Sequence, residues 1–156
     1  PGTGRVFMSD SEFQLRTTTL WKRLFKVASL DRFLDENENE VDRLAFHDYI
    51  TGLCEKRGEV PERVINRADI ERSYGHSLFR GARRPSRDTV LQLAFGFQAD
   101  LELAQSLLRH AERSPLYPRI PRDVVISFCL IHHMSITQAQ NLLMKKNLSL
   151  IGGTPK

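Results

Sequence analysis

The sequence predicts an all-α fold, and three features of its pattern lead to that expectation. Apolar residues recur at spacings of three and four along most of the chain, as they do on one face of a helix. Residues that favour helix starts and helix ends stand at the edges of these apolar segments. No segment alternates apolar and polar residues between turn residues, as a half-buried strand does. We therefore expect helices packed on helices, with no sheet.

The size and composition of the chain indicate a folded protein outside the membrane. It has 156 residues, of which 40% are hydrophobic and 27% charged, the balance of an ordinary globular domain with a short appendage. No apolar run approaches the ~20 residues that cross a bilayer, and no secretory leader is recognisable. We expect no membrane association and a cytoplasmic location. The net charge of +4 permits nucleic-acid binding without requiring it.

The N-terminal part is expected to form a helical arm. Residues 1–8 are interpreted as a remnant of the expression vector. Residues 9–40 then form the arm, with one helix from Thr17 and a second, short helix capped by Ser29. The acidic, amide-rich run at residues 35–40 is expected to be a solvated linker that ends the arm.

Residues 41–112 are predicted to form the central domain. Gly58 and Gly81 are well placed to end helices, because glycine readily adopts the left-handed conformation that follows many of them. Asp69 and its neighbour are expected to form a tight turn between two short helices. The first three helices of this domain are expected at Arg43–Arg57, Pro61–Ala68 and Arg72–Phe79.

Four more helices are expected after Gly81. Ser86 and Asp100 are residues that favour helix caps, and each precedes a helical apolar stripe. A loop punctuated by prolines then leads into a C-terminal helical extension, residues 113–156. Its two helices are expected at Arg122–His132 and Thr137–Lys146.

Two stretches carry a family resemblance. The first is RSYGHSLFRG at residues 72–81, followed by RRPS at residues 83–86, and the second is SPLYPR at residues 114–119. They resemble the recognition helix, the connector after it and a downstream loop of the phage-repressor-like (Xre-type) helix-turn-helix transcription regulators of bacteria. The resemblance covers roughly Leu44–Leu143. It implies a five-helix helix-turn-helix repressor-like core, which here has an N-terminal helical arm and a C-terminal helical pair.

The resemblance implies double-stranded DNA as the partner and two sets of contacts. Side chains of the recognition helix would contact base edges, and these are Arg72, Ser73, Tyr74, His76 and Ser77. Arginines after that helix would contact phosphates, which sets position without reading sequence, and these are Arg80, Arg83, Arg84 and Arg87. One recognition helix buries too little surface for a specific site, so a homodimer is also implied. Both the aromatic arm and the apolar final helices are candidate dimer surfaces.

Three departures from the family pattern keep a second interpretation open. Pro61 and Glu62 stand where the second helix usually starts with glutamine. Asp69 replaces a glycine in the turn, and Gly75 replaces an apolar residue in the recognition helix. Acidic residues therefore lie near the expected DNA face. The alternative is a helical adaptor that binds a protein partner through the aromatic residues Trp21, Phe25 and Phe33.

The sequence contains no pattern for catalysis, a metal or a cofactor. His132 and His133 are adjacent, so on a helix their side chains point about 100° apart, and no cysteine or carboxylate has ligand spacing to them. Cys54 and Cys129 lack CxxC spacing and are expected to be buried thiols. No glycine-rich phosphate loop and no nucleophile–base pair is apparent. We expect no enzyme activity, no metal and no cofactor.

Overall fold

The computed structural model of the chain describes residues 10–37 and 45–152. Within these ranges the chain forms nine α-helices and no strand, so the all-α prediction is confirmed. The contacts divide the chain into two compact units, residues 1–43 and 44–156. The predicted vector remnant and the end of the predicted acidic linker lie outside the described residues.

The first unit contains two helices, α1 at Asp10–Lys26 and α2 at Leu30–Glu36. α1 begins well before Thr17, its predicted start, because no glycine or proline interrupts the preceding residues. α2 follows the predicted cap, since the Ser29 hydroxyl accepts the backbone N–H of Arg32 at 3.3 Å. It continues through the acidic residues up to Glu36, where the sequence predicted a linker.

The three aromatic residues of the predicted docking surface, Trp21, Phe25 and Phe33, are not equally exposed. Trp21 is 57% exposed and Phe25 is 84% exposed, and their ring centroids lie 6.1 Å apart. Phe33 is buried, at 6% exposure. The expectation that all three residues offer one docking surface is therefore wrong for Phe33, whose apolar surface is already covered.

The second unit contains the remaining described helices, which agree with the predicted ones to within a few residues. α3 starts at Phe46 instead of Arg43, and α5 extends one residue further, to Arg80. The helices are α3 at Phe46–Arg57, α4 at Pro61–Arg67, α5 at Arg72–Arg80, α6 at Arg87–Gly96, α7 at Leu101–His110, α8 at Pro121–Ile131 and α9 at Ile136–Lys145.

Local capping chemistry sets most of these helix ends. Gly58 and Gly81 adopt left-handed conformations, with φ of 65° and 79°, and end α3 and α5 as predicted. The side chains of Ser86, Asp100 and Ser135 cap α6, α7 and α9 by accepting backbone N–H groups in the first turn. These caps satisfy donors that a helix start otherwise leaves without a partner.

The core of the second unit is continuous from α3 to α9. α4 packs on α5 and α6, α3 packs on α5 and α7, and α8 packs on α7 and α9, while α6 also contacts α7 and α9. The largest fully buried side chains come from every one of these helices or the turns beside them, and they include Ile50, Ile65, Leu78, Leu91, Phe97, Leu107, Ile126 and Leu143. The C-terminal pair therefore belongs to the same core as the helices before it.

Long-range ion pairs attach the C-terminal pair to α6. The Arg122 guanidinium donates to both carboxylate oxygens of Asp88, at 3.1 and 2.9 Å, and to the carbonyl of Leu150. The backbone N–H of Gly152 also donates to Asp88. Burial alone would raise the pKa of Asp88, but the bonds from Arg122 and Gly152 outweigh it and hold that pKa below its usual value.

We expect neither cysteine to react in the folded protein. Cys54 and Cys129 are buried, and burial raises the pKa of both thiols, that of Cys54 to about 11 with a further contribution from Glu59. The thiolate is the nucleophile, so very little reactive species exists at neutral pH. A thiol-reactive dye at pH 7.5 should label neither residue in the native chain and both in guanidinium chloride. Fast labelling of the native chain would contradict this packing.

Candidate nucleic-acid interface

α5 is anchored on one side and open on the other. Gly75, Leu78 and Phe79 are buried, whereas Arg72 and Arg80 are exposed. The anchor is close because Gly75 has no side chain: a Cβ there would lie 2.5 Å from Cγ2 and 2.7 Å from Cγ1 of Ile65 on α4. The glycine in the middle of α5, a departure from the family pattern, therefore lets α5 approach α4 closely.

The turn before α5 is held by backbone geometry and by α6. Asp69 has a left-handed conformation with φ of 58°, which glycine favours and aspartate tolerates better than most residues. The side-chain amide of Gln92 on α6 donates to the carbonyls of Ala68 and Asp69, at 3.3 Å each. Asp69 thus adopts a backbone conformation that glycine favours, and the bonds from Gln92 keep the turn before α5 in a defined position.

The N-terminus of α5 is occupied by an acidic cap. The Glu71 carboxylate accepts the backbone N–H of Ser73 at 2.8 Å and that of Tyr74 at 3.0 Å. These two bonds lower the pKa of Glu71 below its usual value. Because those donors are already taken, the start of α5 has little capacity left for an anion, and contacts to a nucleic acid must come from side chains.

Two of the predicted base-contacting residues share one acidic partner. Glu62 on α4 accepts from Nε of Arg72, with its oxygens at 3.0 and 3.1 Å, and lies 2.8 Å from Nε2 of His76. The pKa of Glu62 is lowered, first by the hydrogen bond with His76 and then by that with Arg72. All three groups are at least partly open to water, so the cluster is a surface network that a stronger anion can rearrange.

The other three predicted base-contacting residues lie at different depths. Ser73 is exposed and Tyr74 is half-buried. Ser77 is only 9% exposed, and its hydroxyl donates to the carbonyl of Tyr74 at 2.5 Å. The expectation that Ser77 faces outward is wrong, because its hydroxyl is used within α5 itself.

The end of α5 and the connector after it present three exposed arginines. Arg80 and Arg83 have no hydrogen-bond or ion-pair partner among residues 10–37 and 45–152. Arg84 pairs with Glu112 at 3.2 Å, but the two side chains are 74% and 80% exposed, so the pair is weak in water. The connector is itself fixed by Arg113, which donates twice to the carbonyl of Pro85, at 3.0 and 2.8 Å.

Arg87, the fourth predicted phosphate-contacting residue, faces into the protein. Its guanidinium donates to both oxygens of the Asp123 carboxylate, at 3.2 and 2.9 Å, and to the carbonyls of Ser114 and Pro115. Asp123 is 1% exposed and also accepts the backbone N–H of Tyr117. Arg87 therefore holds the SPLYPR loop against the start of α8, and its donors are committed to that loop.

Three residues outside the predicted base-contacting and phosphate-contacting sets also shape the site, and the sequence had already placed one of them, Glu62, near the expected DNA face. Glu62 holds Arg72 and His76, Arg113 holds the connector, and Arg63 adds an exposed cation on α4. The contacts of Glu62 and Arg113 depend on how helices cross in three dimensions, so no spacing in the sequence signals them. Arg63 directly follows Glu62 in the sequence, and this position at the start of α4 is the signal that indicates it.

In the described part of the chain, no group of three or more histidine, cysteine, aspartate or glutamate side chains is arranged to hold a metal ion. Across the same residues, no helix has the length and apolar character to cross a membrane. An open cleft of about 620 Å³ lies between the ends of α4 and α6 and the turn from α8 to α9, and Phe95, Leu130 and Ile136 contribute its apolar lining.

Comparisons of the chain with protein-family models, with curated proteins and with solved structures find no match. The function of the chain is therefore inferred from the residues described above.

Proposed function

We propose that this chain is a bacterial transcription regulator that binds double-stranded DNA in a sequence-specific manner. In this proposal α3–α7 form a helix-turn-helix core of the repressor type, and α5 enters the major groove. The protein acts in the cytoplasm. The observation that carries the proposal is the open side of α5, which is continued by two exposed arginines, Arg80 and Arg83, that lack an acidic partner in the described residues.

The contacts divide into those that read bases and those that hold the backbone. Arg72, Ser73 and His76 lie along the accessible side of α5 and supply donors and acceptors for base edges, with Tyr74 beside them. Arg80 at the end of α5, with Arg83 and Arg84 after it, supplies guanidinium groups for phosphates. Ser77 and Arg87 are left out of the interface, because their polar groups are engaged inside the protein.

The proposed function is tested by selecting bound duplexes from random DNA at low salt. The wild-type chain is expected to enrich one sequence motif. Arg72→Ala should relax the base preference at one position, while Arg83→Ala should weaken binding to all sequences alike. Recovery of no duplex above background, even at low salt, would contradict the proposal.

A second function, a helical adaptor for a protein partner, is favoured by one observation. Glu62 neutralises Arg72 and lies against His76, so two of the residues proposed to read bases are paired within the protein. The exposed aromatic residues Trp21 and Phe25 would then contact the partner. A stoichiometric complex that is lost in Trp21→Ala and kept in Arg72→Ala would favour the adaptor over the DNA-binding function.

We expect Glu62→Gln to strengthen DNA binding. The substitution keeps the shape of the side chain but removes a negative charge beside Arg72 and His76, which frees both for the groove. The affinity for DNA should rise about 3- to 10-fold at fixed salt, because binding to the DNA phosphates depends strongly on the charge of the protein surface. Fluorescence anisotropy with a labelled duplex measures it.

The matched control is Glu102→Gln, which changes the net charge equally at an exposed position on α7. The control should alter affinity less than Glu62→Gln does. Equal gains in both variants, or weaker binding by Glu62→Gln, would contradict the assigned role of Glu62.

A further inference from the structure

The open cleft between α4, α6 and the turn from α8 to α9 has the size and floor of a small-molecule site. Its volume of about 620 Å³ lies within the range of roughly 300–1,000 Å³ that such sites occupy. Phe95 on α6, Leu130 on α8 and Ile136 on α9 form its apolar floor, and each of these residues is at most 5% exposed. A ligand in the cleft therefore covers apolar edges from three helices of the core.

The rim of the cleft carries polar side chains that the fold does not use. Five exposed residues supply them, and these are Asn66, Asp69, Gln98, His133 and Thr137. Within the described ranges 10–37 and 45–152, none of these five side chains makes a hydrogen bond or an ion pair. Asp69, Gln98 and His133 lie in three different turns, each with φ between 54° and 58°. The turns thus bring uncommitted polar groups together around an apolar floor, which is the usual composition of a ligand site.

The charges that line the cleft favour a cation. Arg67 also lines the cleft, but its guanidinium is paired with the carboxylate of Glu59, and its Nε donates to the carbonyl of Gly96 at 2.8 Å. The positive charge of Arg67 is therefore balanced within the protein. The carboxylate of Asp69 has no such partner in the described residues, so its negative charge is available to a ligand.

Two other groups at the cleft would favour an anion, and neither outweighs Asp69 at pH 8. The start of α9 carries a partial positive charge of about half a unit, and its capping box already occupies the backbone N–H groups of Ser135 and Gln138. His133 is the remaining titratable side chain of the lining, and a histidine is ordinarily neutral at pH 8. The full charge of Asp69 therefore decides the sign.

We propose that this cleft binds a small organic cation, an amine or an amidine carried on a flat apolar body. The body covers the apolar floor, the cationic group contacts the carboxylate of Asp69, and the side-chain amides of Asn66 and Gln98 supply hydrogen bonds at the rim. Because only the edges of the floor are exposed, a simple ligand should bind with a dissociation constant of about 0.1–1 mM.

The position of Asp69 connects this site to α5. Asp69 lies in the turn before α5, where its backbone carbonyl accepts from the side-chain amide of Gln92. A ligand bound to the carboxylate restrains the same turn, so ligand binding and DNA binding are coupled, equally in both directions. This regulatory role rests on the proposed function, whereas binding of the cation does not.

The site is tested with three probes that share an indole ring and differ in charge, namely tryptamine, indole-3-acetamide and indole-3-acetate. Each is titrated into the full chain at pH 8, and the methyl signals of Leu130 and Ile136 are followed by NMR. Both signals should shift, and tryptamine should bind about 3- to 5-fold more tightly than the neutral amide, with the anion weakest. No shift with any probe, or an anion that binds as tightly as tryptamine, overturns the inference.

Asp69→Asn removes the charge and keeps the fold, because asparagine tolerates a left-handed backbone. Its affinity for tryptamine should fall about 3- to 5-fold, to the level of the neutral amide, whose own affinity should not change. The matched control is Asp48→Asn, which removes an exposed charge from α3, a helix that contributes no residue to the cleft. An equal loss in both variants overturns the assignment of the cation to Asp69.

The regulatory role is tested by measuring duplex affinity with and without tryptamine at equal ionic strength. Near saturation, tryptamine should change the affinity of the wild type about 5-fold or more, and that of Asp69→Asn by less. An unchanged affinity in a chain that binds both partners overturns the coupling. Binding of tryptamine by a chain that binds no duplex would contradict the proposed function and leave the cation site standing. Duplex binding by a chain that binds none of the three probes would do the reverse.

Discussion

Replacing Asp123 with alanine is expected to lower the free energy of unfolding by about 3 to 5 kcal/mol, because it removes one partner of a buried ion pair. Asp123 is 1% exposed and accepts two hydrogen bonds from Arg87 and one from the backbone N–H of Tyr117. Without the carboxylate, the Arg87 guanidinium keeps its place beside the loop carbonyls but loses its compensating charge. Urea unfolding followed by circular dichroism measures the loss.

Glu112→Ala is the matched control for this prediction. It also removes the acidic partner of an arginine, but the pair that Glu112 forms with Arg84 is largely exposed. The free energy of unfolding should then change by no more than about 0.5 kcal/mol. If Asp123→Ala cost as little as the control, the SPLYPR loop would not be held in the way described.

Gly96→Ala is expected to destabilise the protein by about 2 to 3 kcal/mol, because it overfills the contact between α6 and α4. A Cβ on Gly96 would overlap the carbonyl oxygen of Val64 and lie 2.9 Å from Cβ of Ala68. Backbone cannot move aside as the end of a flexible side chain can. The carbonyl of Gly96 also accepts a hydrogen bond from Nε of Arg67 at 2.8 Å, so a shift of α6 would disturb that bond as well.

Gly52→Ala is expected to raise the free energy of unfolding, which is the opposite of the effect expected for Gly96→Ala. Gly52 lies inside α3, and a Cβ there would meet nothing within 4 Å. Alanine then brings only its higher helix propensity, worth up to about 1 kcal/mol of added stability. Thermal unfolding of the two variants beside the wild type separates the effects. Stabilisation by both alanines would contradict the close approach of α4 and α6.

The helices of the second unit were predictable because their signals are local. Ser86, Asp100 and Ser135 cap helices, and Gly58 and Gly81 end them, through bonds to residues a few positions away. The start of α1 was missed because the residues before Thr17 carry no strong apolar pattern. α2 continues to Glu36, inside the acidic run that predicted a linker, and glutamate is a good helix former on a solvated face.

The candidate site was less predictable, because its details depend on contacts between distant residues. Arg87 stands in the same run of arginines as Arg83, yet it is turned inward by Asp123, which lies 36 residues away. Ser77 is buried, whereas its neighbour His76 on α5 is only half-buried. The bond between Glu62 and Arg72 arises from the crossing of α4 and α5. Residue type alone indicated which groups suit DNA, and only the packing separates those on the surface from those committed to the fold.

The most direct test of the proposed interface is the salt dependence of DNA binding for the wild type and Arg83→Ala on one duplex. The logarithm of the binding constant should fall linearly with the logarithm of the salt concentration, by about 0.9 per phosphate neutralised. Arg83→Ala should bind more weakly and with a slope smaller by about 1. Identical slopes and affinities for the two proteins, or no binding at low salt, would contradict the claim that α5 and the arginines after it form a DNA-binding surface.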